Sequence, residues 1–356
     1  MSLDELRGRI DDIDGQILAL LNERAQCAVQ IGEIKHNTRS DFYVPEREKA
    51  VYEALKAKNT GPLPDRSVRS IYREIMSAMR ALERPVAIGY LGPADTFSHM
   101  AAMRVFGSRA EYHPLPTVAD IFTEVERKRL DYGVVPVETS MGGGVSDTLD
   151  RFVTSDTKII NELMLHISQC LMSTDSFDKI TQVYSKSQPF VQCRTWLKAN
   201  LPNAELIETS STAEAARLVA DRPGAAAIAA EMAAETYGLK ILARGIEDVS
   251  YNFTRFFVIG NQLAKPTGHD KTSVLLGIKD RPGALYTLLF PLAERGVNLT
   301  RIESRPSQKK AWEYVFFIEL LGHAQESPVK EALEEIAREC NELKILGSFP
   351  CGELEE

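Results

Sequence analysis

Apolar residues recur at helical spacing along residues 3–37, at Leu6, Ile10, Ile13, Ile17, Leu20, Leu21, Val29, Ile31 and Ile34. No proline interrupts the run, so it predicts a single helix, about 50 Å long at 1.5 Å per residue. Such a helix outreaches a small domain, and its apolar stripe needs a partner helix from this chain or a second one. Pro45 suits the first turn of a second helix reaching Lys58. The loop NTGPLPD follows, and Asp65 or Ser67 is placed to cap a third helix ending near Leu82. Residues 1–84 therefore read as an all-α module of three helices.

Arg84-Pro85 breaks this pattern, and the β-rich run VAIGYLGP follows. Strands then alternate with helices through AAMRVF, VADIFTEVERKR, DYGVVPV, KIINELMLHISQCLM, ITQVYS, STAEAARLVA, GAAAIA, EMAAETYG and NFTRFFVIG. The alternation predicts an α/β module over residues 85–264, with a largely parallel sheet and room for two lobes around a cleft. Residues 265–270 read as a linker. Beyond it, over residues 271–350, TSVLLGIK, GALYTLLFPLAERG, VNLTRIESRP, EYVFFIELLG, SPVKEALEEIAREC and ELKILGSF follow the βαββαβ order of an α+β ferredoxin-like domain.

Composition narrows the function classes. A net charge of −8 argues against a nucleic-acid partner. The N-terminus is charged from Asp4, unlike a secretory leader, and no run approaches the roughly 20 apolar residues of a membrane span. The five cysteines are scattered without CxxC spacing, which suggests reduced structural thiols, no metal site and a cytoplasmic location. Nucleotide-binding glycine fingerprints, zincin motifs and the nucleophile elbow are all missing. The run MGGGVSD reads as a flexible loop.

In the helical module the candidates are Arg7, Arg24, Lys35, Arg47 and Glu48. Arg24 and Lys35 lie within about 20° of one helix face, whereas Arg7 is about 100° from Arg24. Arg7 thus suits a site on a partner chain. The motifs LxxxRxxIDxID, LLNER, IGxIK and PERE closely resemble the all-α chorismate mutases over residues 3–83. That resemblance implies an intertwined helical homodimer in which Arg7 reaches into the partner's site, while Arg24, Lys35, Arg47 and Glu48 line it locally. Rearrangement of chorismate to prephenate is pericyclic, so no cofactor is needed. The site must hold a dicarboxylate in its compact form and stabilise charge on the breaking ether oxygen. Arginines clamp the carboxylates, Lys35 donates to the ether oxygen and Glu48 accepts from the ring hydroxyl. Glu83 falls where many members carry a glutamine as the second donor. A carboxyl donates only when protonated, so mutase activity is expected to fall as pH rises through the titration of Glu83.

The middle module carries polar motifs at strand ends, GPADTFS, VPVETS, YSKSQPFVQC and YNFTRFF. These are the places where open α/β sheets bind ligands. Together with STAEAA and AAIAAEMAA, they closely resemble prephenate dehydratase over residues 86–262, whose two lobes are similar to periplasmic binding proteins. The resemblance implies that Thr254 assists the leaving hydroxyl, with Arg255 supporting it or pairing with a carboxylate. Ser185 and Gln192 would hydrogen-bond substrate, and Thr96 and Ser98 would present donors at a helix start. Two positions depart from the family, Asp95 in place of glycine and Thr139 in place of a substrate-touching asparagine. They keep two alternatives open: arogenate as substrate, its ammonium drawn to Asp95, or a phenylalanine-responsive binding protein with an inactive cleft.

In the third module, Gly283-Ala284-Leu285 opens a helix and Glu303-Ser304-Arg305-Pro306 ends a strand. The pair resembles the phenylalanine-binding ACT domains. It implies L-phenylalanine as feedback inhibitor between two such domains of a homodimer or higher oligomer, with Asn298 as a further contact.

Overall fold

The computed structural model describes residues 1–38, 41–278, 281–306, 314–352 and 354–355. Lys279 and Glu313, each at an end of a predicted strand, lie outside the described residues. The chain divides into two compact units, residues 1–87 with 106–111, and the remainder.

The first unit contains α1 (Leu3–Thr38), α2 (Pro45–Lys58) and α3 (Asp65–Glu83). Pro45 takes the first turn of α2, as its fixed φ and missing N–H favour. Neither Asp65 nor Ser67 caps α3; Pro64 occupies the cap position and makes no side-chain bond to the helix. Only Ala28 and Gly32 of α1 are buried. Ile10, Ile13, Ile17, Leu20 and Ile34 are 44–65% exposed, so α3 covers only a short part of the stripe. Gly32 is where the two helices touch, since a Cβ there would come within 2.9 Å of Glu83 Cα.

The second unit begins with β1 (Ala87–Leu91), α4 (Phe97–Phe106), β2 (Glu111–Leu115), α5 (Val118–Glu126), β3 (Tyr132–Thr139), the two-residue β4 (Gly143–Gly144), α6 (Ser146–Thr154) and β5 (Lys158–His166). A second lobe follows: β6 (Cys170–Ser173), β7 (Gln182–Ser185), α7 (Ser187–Gln192), α8 (Arg194–Asn200), β8 (Glu205–Glu208), α9 (Thr212–Val219), β9 (Ala225–Ala229), α10 (Met232–Thr236) and β10 (Lys240–Arg244). The chain then returns to the first lobe as β11 (Phe253–Gly260). Its two crossings lie side by side, with Ile167 N–H donating to Asn252 O at 2.7 Å and Ile246 N–H to Gln169 O at 3.1 Å.

The expected parallel sheet is mixed in both lobes. In the first, β1 and β3 are parallel, but β11 runs antiparallel between β3 and β5. In the second, β7 is parallel to β8 and β9, while β6 is antiparallel to β9 and β10. The physical reason is the crossing: a strand that returns from the other lobe enters the sheet from the opposite end. The alanines of β9 are fully buried, and their small side chains let α9 pack closely through Ala215 and Ala216. The MGGGVSD run is not wholly loop, since it holds β4 and the start of α6. Buried Cys170 and Cys193 have thiols pushed up to about 11 and about 12, first by burial and then by nearby carboxylates, which leaves them unreactive.

The C-terminal domain is β12 (Asp270–Gly277), α11 (Ala284–Glu294), β13 (Leu299–Pro306), β14 (Tyr314–Leu321), α12 (Val329–Glu339) and β15 (Glu342–Pro350), in sheet order β13-β14-β12-β15. One sheet face packs Val274, Leu276, Ile318 and Leu320 under α11 and α12. Alternation sends Lys271, Ser273, Phe317 and Glu319 to the opposite face. That face lies against the first lobe of the middle domain. The final strand, β16 (Leu354–Glu355), joins that lobe's sheet beside β5.

A Cβ on Gly347 would fall 2.1 Å from Ile159 O, so β15 meets β5 backbone to backbone. Gly347→Ala is expected to force the two sheets apart and cost about 1–3 kcal/mol in chemical denaturation, the usual penalty of overpacking.

Candidate active sites and the sensing face

In the helical unit, Lys35 Nζ lies 2.7 Å from Glu83 Oε2, and both side chains are largely buried. The ammonium also donates to Phe42 O at 3.3 Å. Gly32, one turn before Lys35, is what allows α1 and α3 close enough for this pair. Glu48 pairs with Arg80, whose Nη2 donates to Phe106 O at 2.7 Å. Arg24 is half-buried, and Arg47 is exposed. Arg7 is exposed too, its Nη1 3.8 Å from Asp4. The 28 residues between Arg7 and Lys35 span about 42 Å along one helix axis, so the two cannot share a site within one chain.

In the middle domain, β11 brings the YNFTRFF and VPVETS motifs together, with Thr254 opposite Thr139 in the ladder. Ser140 ties the strand ends, its N–H donating to Phe253 O at 2.9 Å and its Oγ accepting from Phe253 N–H at 3.0 Å. Thr139 Oγ1 accepts from Gly142 N–H at 2.9 Å, so this hydroxyl holds the following turn. Ser185 is fully buried and donates to Ile228 O at 2.8 Å, which commits its proton to the sheet. Gln192 accepts from Gln169 Nε2 at 3.0 Å; Gln169 Oε1 is buried and has no described hydrogen-bond partner. Thr96 donates to Pro93 O at 3.1 Å ahead of α4. Ser98 lies in the first turn of α4.

Asp95 adopts φ 64°, the left-handed conformation that lets it stand where the resembled family has glycine. Its carboxylate is largely buried and faces His99, with Oδ1 3.9 Å from Nδ1. Asp95 N–H donates to the same nitrogen at 3.2 Å, so Nδ1 is an acceptor and the ring proton sits on Nε2. Burial holds the His99 imidazole below its ordinary pKa against the opposing pull of Asp95. Tyr90, stacked on His99, has its hydroxyl pushed up to about 12 by burial and then by Asp95. Tyr237 of the second lobe is raised by burial and then by the same acid. Asp95 therefore lies within electrostatic reach of both lobes.

Arg255 points to the sensing domain. Its Nε donates to Glu162 Oε2 at 2.7 Å, as does Nη2, and its Nη1 donates to Glu319 Oε2 at 2.8 Å. Lys271 Nζ and Gly352 N–H complete Glu162 at 2.8 and 2.7 Å. Burial would push Glu162 up, but Arg255 and Lys271 outweigh it and hold the carboxyl below its ordinary range. Burial alone would lower Arg255; Glu319 and Glu162 raise it instead. The ionic chain continues through Glu138, 3.7 Å from Arg255 and 3.3 Å from Arg301 Nη1, the latter a charge contact without hydrogen-bond geometry. Arg301 reaches Glu303 at 2.7 Å.

Arg305 donates to Asp150 of α6 at 2.8 Å and to Ser146 at 3.1 Å. Of the effector candidates, Arg305 thus engages an acid of the middle domain, Glu303 pairs with Arg301 and Arg305 of its own strand, and Ser304 lies on the exposed side of β13. Gly283 starts α11 at φ 76°, Ala284 is buried beside it and Leu285 half-buried. Asn298 is exposed, and its carbonyl accepts from Leu321 N–H at 2.9 Å. Glu138, Glu162, Lys271, Arg301 and Glu319 were not picked out from the sequence. The available signal was a glutamate inside an apolar strand, as in IINELML and VFFIELL.

These three modules, each with polar residues gathered at strand or helix ends, define a multidomain enzyme with an attached regulatory domain. The chorismate mutase type II family matches residues 6–84, prephenate dehydratase residues 88–264 and the ACT domain residues 272–338. The bifunctional chorismate mutase/prephenate dehydratase of Aquifex aeolicus is 49% identical, over 99% of each chain. That of Escherichia coli is 30% identical, over 97% of this chain and 95% of the relative. A prephenate dehydratase from Arthrobacter aurescens, solved in complex with L-Phe, superposes with a TM-score of 0.70 at 36% identity. It covers 75% of this chain and 90% of that one.

The chain belongs to the bifunctional chorismate mutase/prephenate dehydratase family. It converts chorismate to prephenate and prephenate to phenylpyruvate. No described helix is long and apolar enough to cross a membrane.

Asp95 is the one charge that pulls the His99 pKa upward. Asp95→Gly is therefore expected to move the imidazole titration further to acid, as followed by NMR; an unchanged titration would mean that the carboxylate does not act on the ring.

Proposed function

We propose that the two activities use two separate sites, that L-phenylalanine is the effector of the third domain, and that the working protein is a cytoplasmic homodimer or a higher assembly. The pairing of Lys35 with Glu83 supports the mutase site. The groups that meet one ether oxygen have to converge, and these two side chains, 48 positions apart, come within 2.7 Å, the Lys35 ammonium donating to the Glu83 carboxylate. Arg24, Arg47 and Glu48 supply the nearby carboxylate and hydroxyl contacts, and Arg7 comes from the partner chain. The dimer reading rests on the exposed isoleucines and leucines of α1, a stripe that only another apolar surface can remove from water.

For the dehydratase, Thr254 is the residue that assists departure of the hydroxyl, with loss of CO₂ driven by aromatisation. Its ladder pairing with Thr139 joins the two motifs and is the observation that carries the reading. The Ser185 and Thr96 hydroxyls donate to Ile228 O and Pro93 O, so these two would meet substrate as acceptors, beside Gln192 and Ser98. Prephenate is favoured over arogenate because the Asp95 carboxylate already faces His99. In the third domain, the glycine start of α11 leaves backbone N–H groups open to a carboxylate. Ala284 and Leu285 adjoin it in the same chain, whereas Asn298, beside Leu321 at the other end of the sheet, would come with the outward-facing Ser304 from a second such domain.

Thr254→Ala is expected to reduce dehydratase turnover at least about 100-fold, in the range general acid catalysis supplies, with mutase turnover unchanged. Chorismate consumption and phenylpyruvate formation in one coupled assay, with and without phenylalanine, test this. Dehydratase activity that survives the substitution excludes Thr254. Glu83→Gln, whose amide donates without a titrating proton, is expected to keep or raise mutase turnover, and a loss of about 100-fold or more in that variant would exclude a donor role at this position.

A further inference from the structure

Two carboxylates hold Arg255, and they come from different domains. Glu162, on β5 of the dehydratase domain, has both oxygens filled, by Arg255, Lys271 and Gly352. Glu319, on β14 of the sensing domain, has not. Its Oε2 accepts from Arg255, whereas its Oε1 is buried and without a described hydrogen-bond partner. Ser273 Oγ, the register neighbour of Glu319 on β12, is buried without a described hydrogen-bond partner as well. Stability alone does not account for such a group, because an apolar side chain of similar volume would avoid the desolvation cost and the unfilled oxygen.

The one strong contact of Glu319 is to the residue that follows Thr254. Between Arg255 and Phe256 the register of β11 on β3 shifts, forming a bulge. At a bulge the hydrogen-bond ladder is locally broken on that edge, while on its other edge β11 keeps its register with β5 from Phe253 to Val258. The anchors of the Arg255 side chain add to that ladder and to the Ser140 tie in setting where Thr254 sits against Thr139. Glu162 supplies one anchor from the neighbouring strand β5, and Glu319 supplies the other from the sensing sheet.

We propose that Glu319 of the ACT domain is a positioning residue of the dehydratase, holding Arg255 and through it the backbone of Thr254. The sensing domain thereby completes the dehydratase site besides docking on it. This rests on the assignment of Thr254 given above. Glu319→Gln and Glu319→Asp in the full-length protein test it, with prephenate turnover, chorismate turnover and phenylalanine binding by equilibrium dialysis measured on each variant. Glu319→Gln is expected to lower dehydratase kcat about tenfold, the scale of a small misplacement at a reacting centre. Its KM should stay within about twofold, the split of an interaction that matters in the transition state.

Mutase turnover and phenylalanine binding should match the parent, and Glu319→Asp, which keeps the charge, should recover most of the loss. A parental kcat in Glu319→Gln overturns the proposal. So does a parallel collapse of kcat, KM and phenylalanine binding that Glu319→Asp does not relieve, since a merely structural residue would behave that way. If Thr254→Ala stays active, the underlying assignment fails. If Thr254→Ala is dead and Glu319→Gln is normal, only the role of Glu319 fails.

Discussion

A guanidinium removed from water has to find its solvation in the protein, and Arg255 finds it in carboxylates contributed by two domains. Glu162 comes from the neighbouring strand of the same sheet and Glu319 from the sheet docked on it. Removing one partner of such a pair costs about 3–5 kcal/mol, because the other charge stays buried. The docking of the C-terminal domain is thus built around a charge on the strand that also carries Thr254. Lys271 and the backbone N–H of Gly352 join the same cluster, so the linker strand and the C-terminal tail are held by the same carboxylate. Gly347 lets the two sheets come close enough for these contacts.

The helical unit obeys a different constraint. Its longest helix buries only two residues within the chain, and its apolar stripe faces outward. The ion pair of Lys35 with Glu83 forms where α1 and α3 approach closely, around Gly32. Chemistry and packing there depend on the same close approach. The rest of the stripe, and Arg7 at its far end, call for a second copy.

Much of this was legible from residue order. Helical periodicity marked α1 to within a residue, and Pro45 marked the start of α2. The βαββαβ order of the last domain followed from alternating runs and glycine breaks. The edge strands β2, β8 and β10 went unseen because they are short and half-exposed, with little apolar signal. Sheet direction was misread because alternation of strand and helix says nothing about a strand returning from another lobe. Ser185 was read as a substrate contact from its motif, and the structure adds that its hydroxyl donates within the sheet. The ionic cluster was invisible as a cluster, since its members lie on six separate strands.

The sequence by itself determined the three modules, the motifs that carry their chemistry and the need of α1 for a partner. These are local properties, set by periodicity, turn residues and side-chain type. Only the tertiary structure decided that Thr254 faces Thr139, that Asp95 turns to His99 and that Arg255 looks away from the cleft toward Glu319. Such pairings depend on strand register and domain docking. Both arise from contacts between residues far apart in the chain, and a reading along one dimension does not contain them.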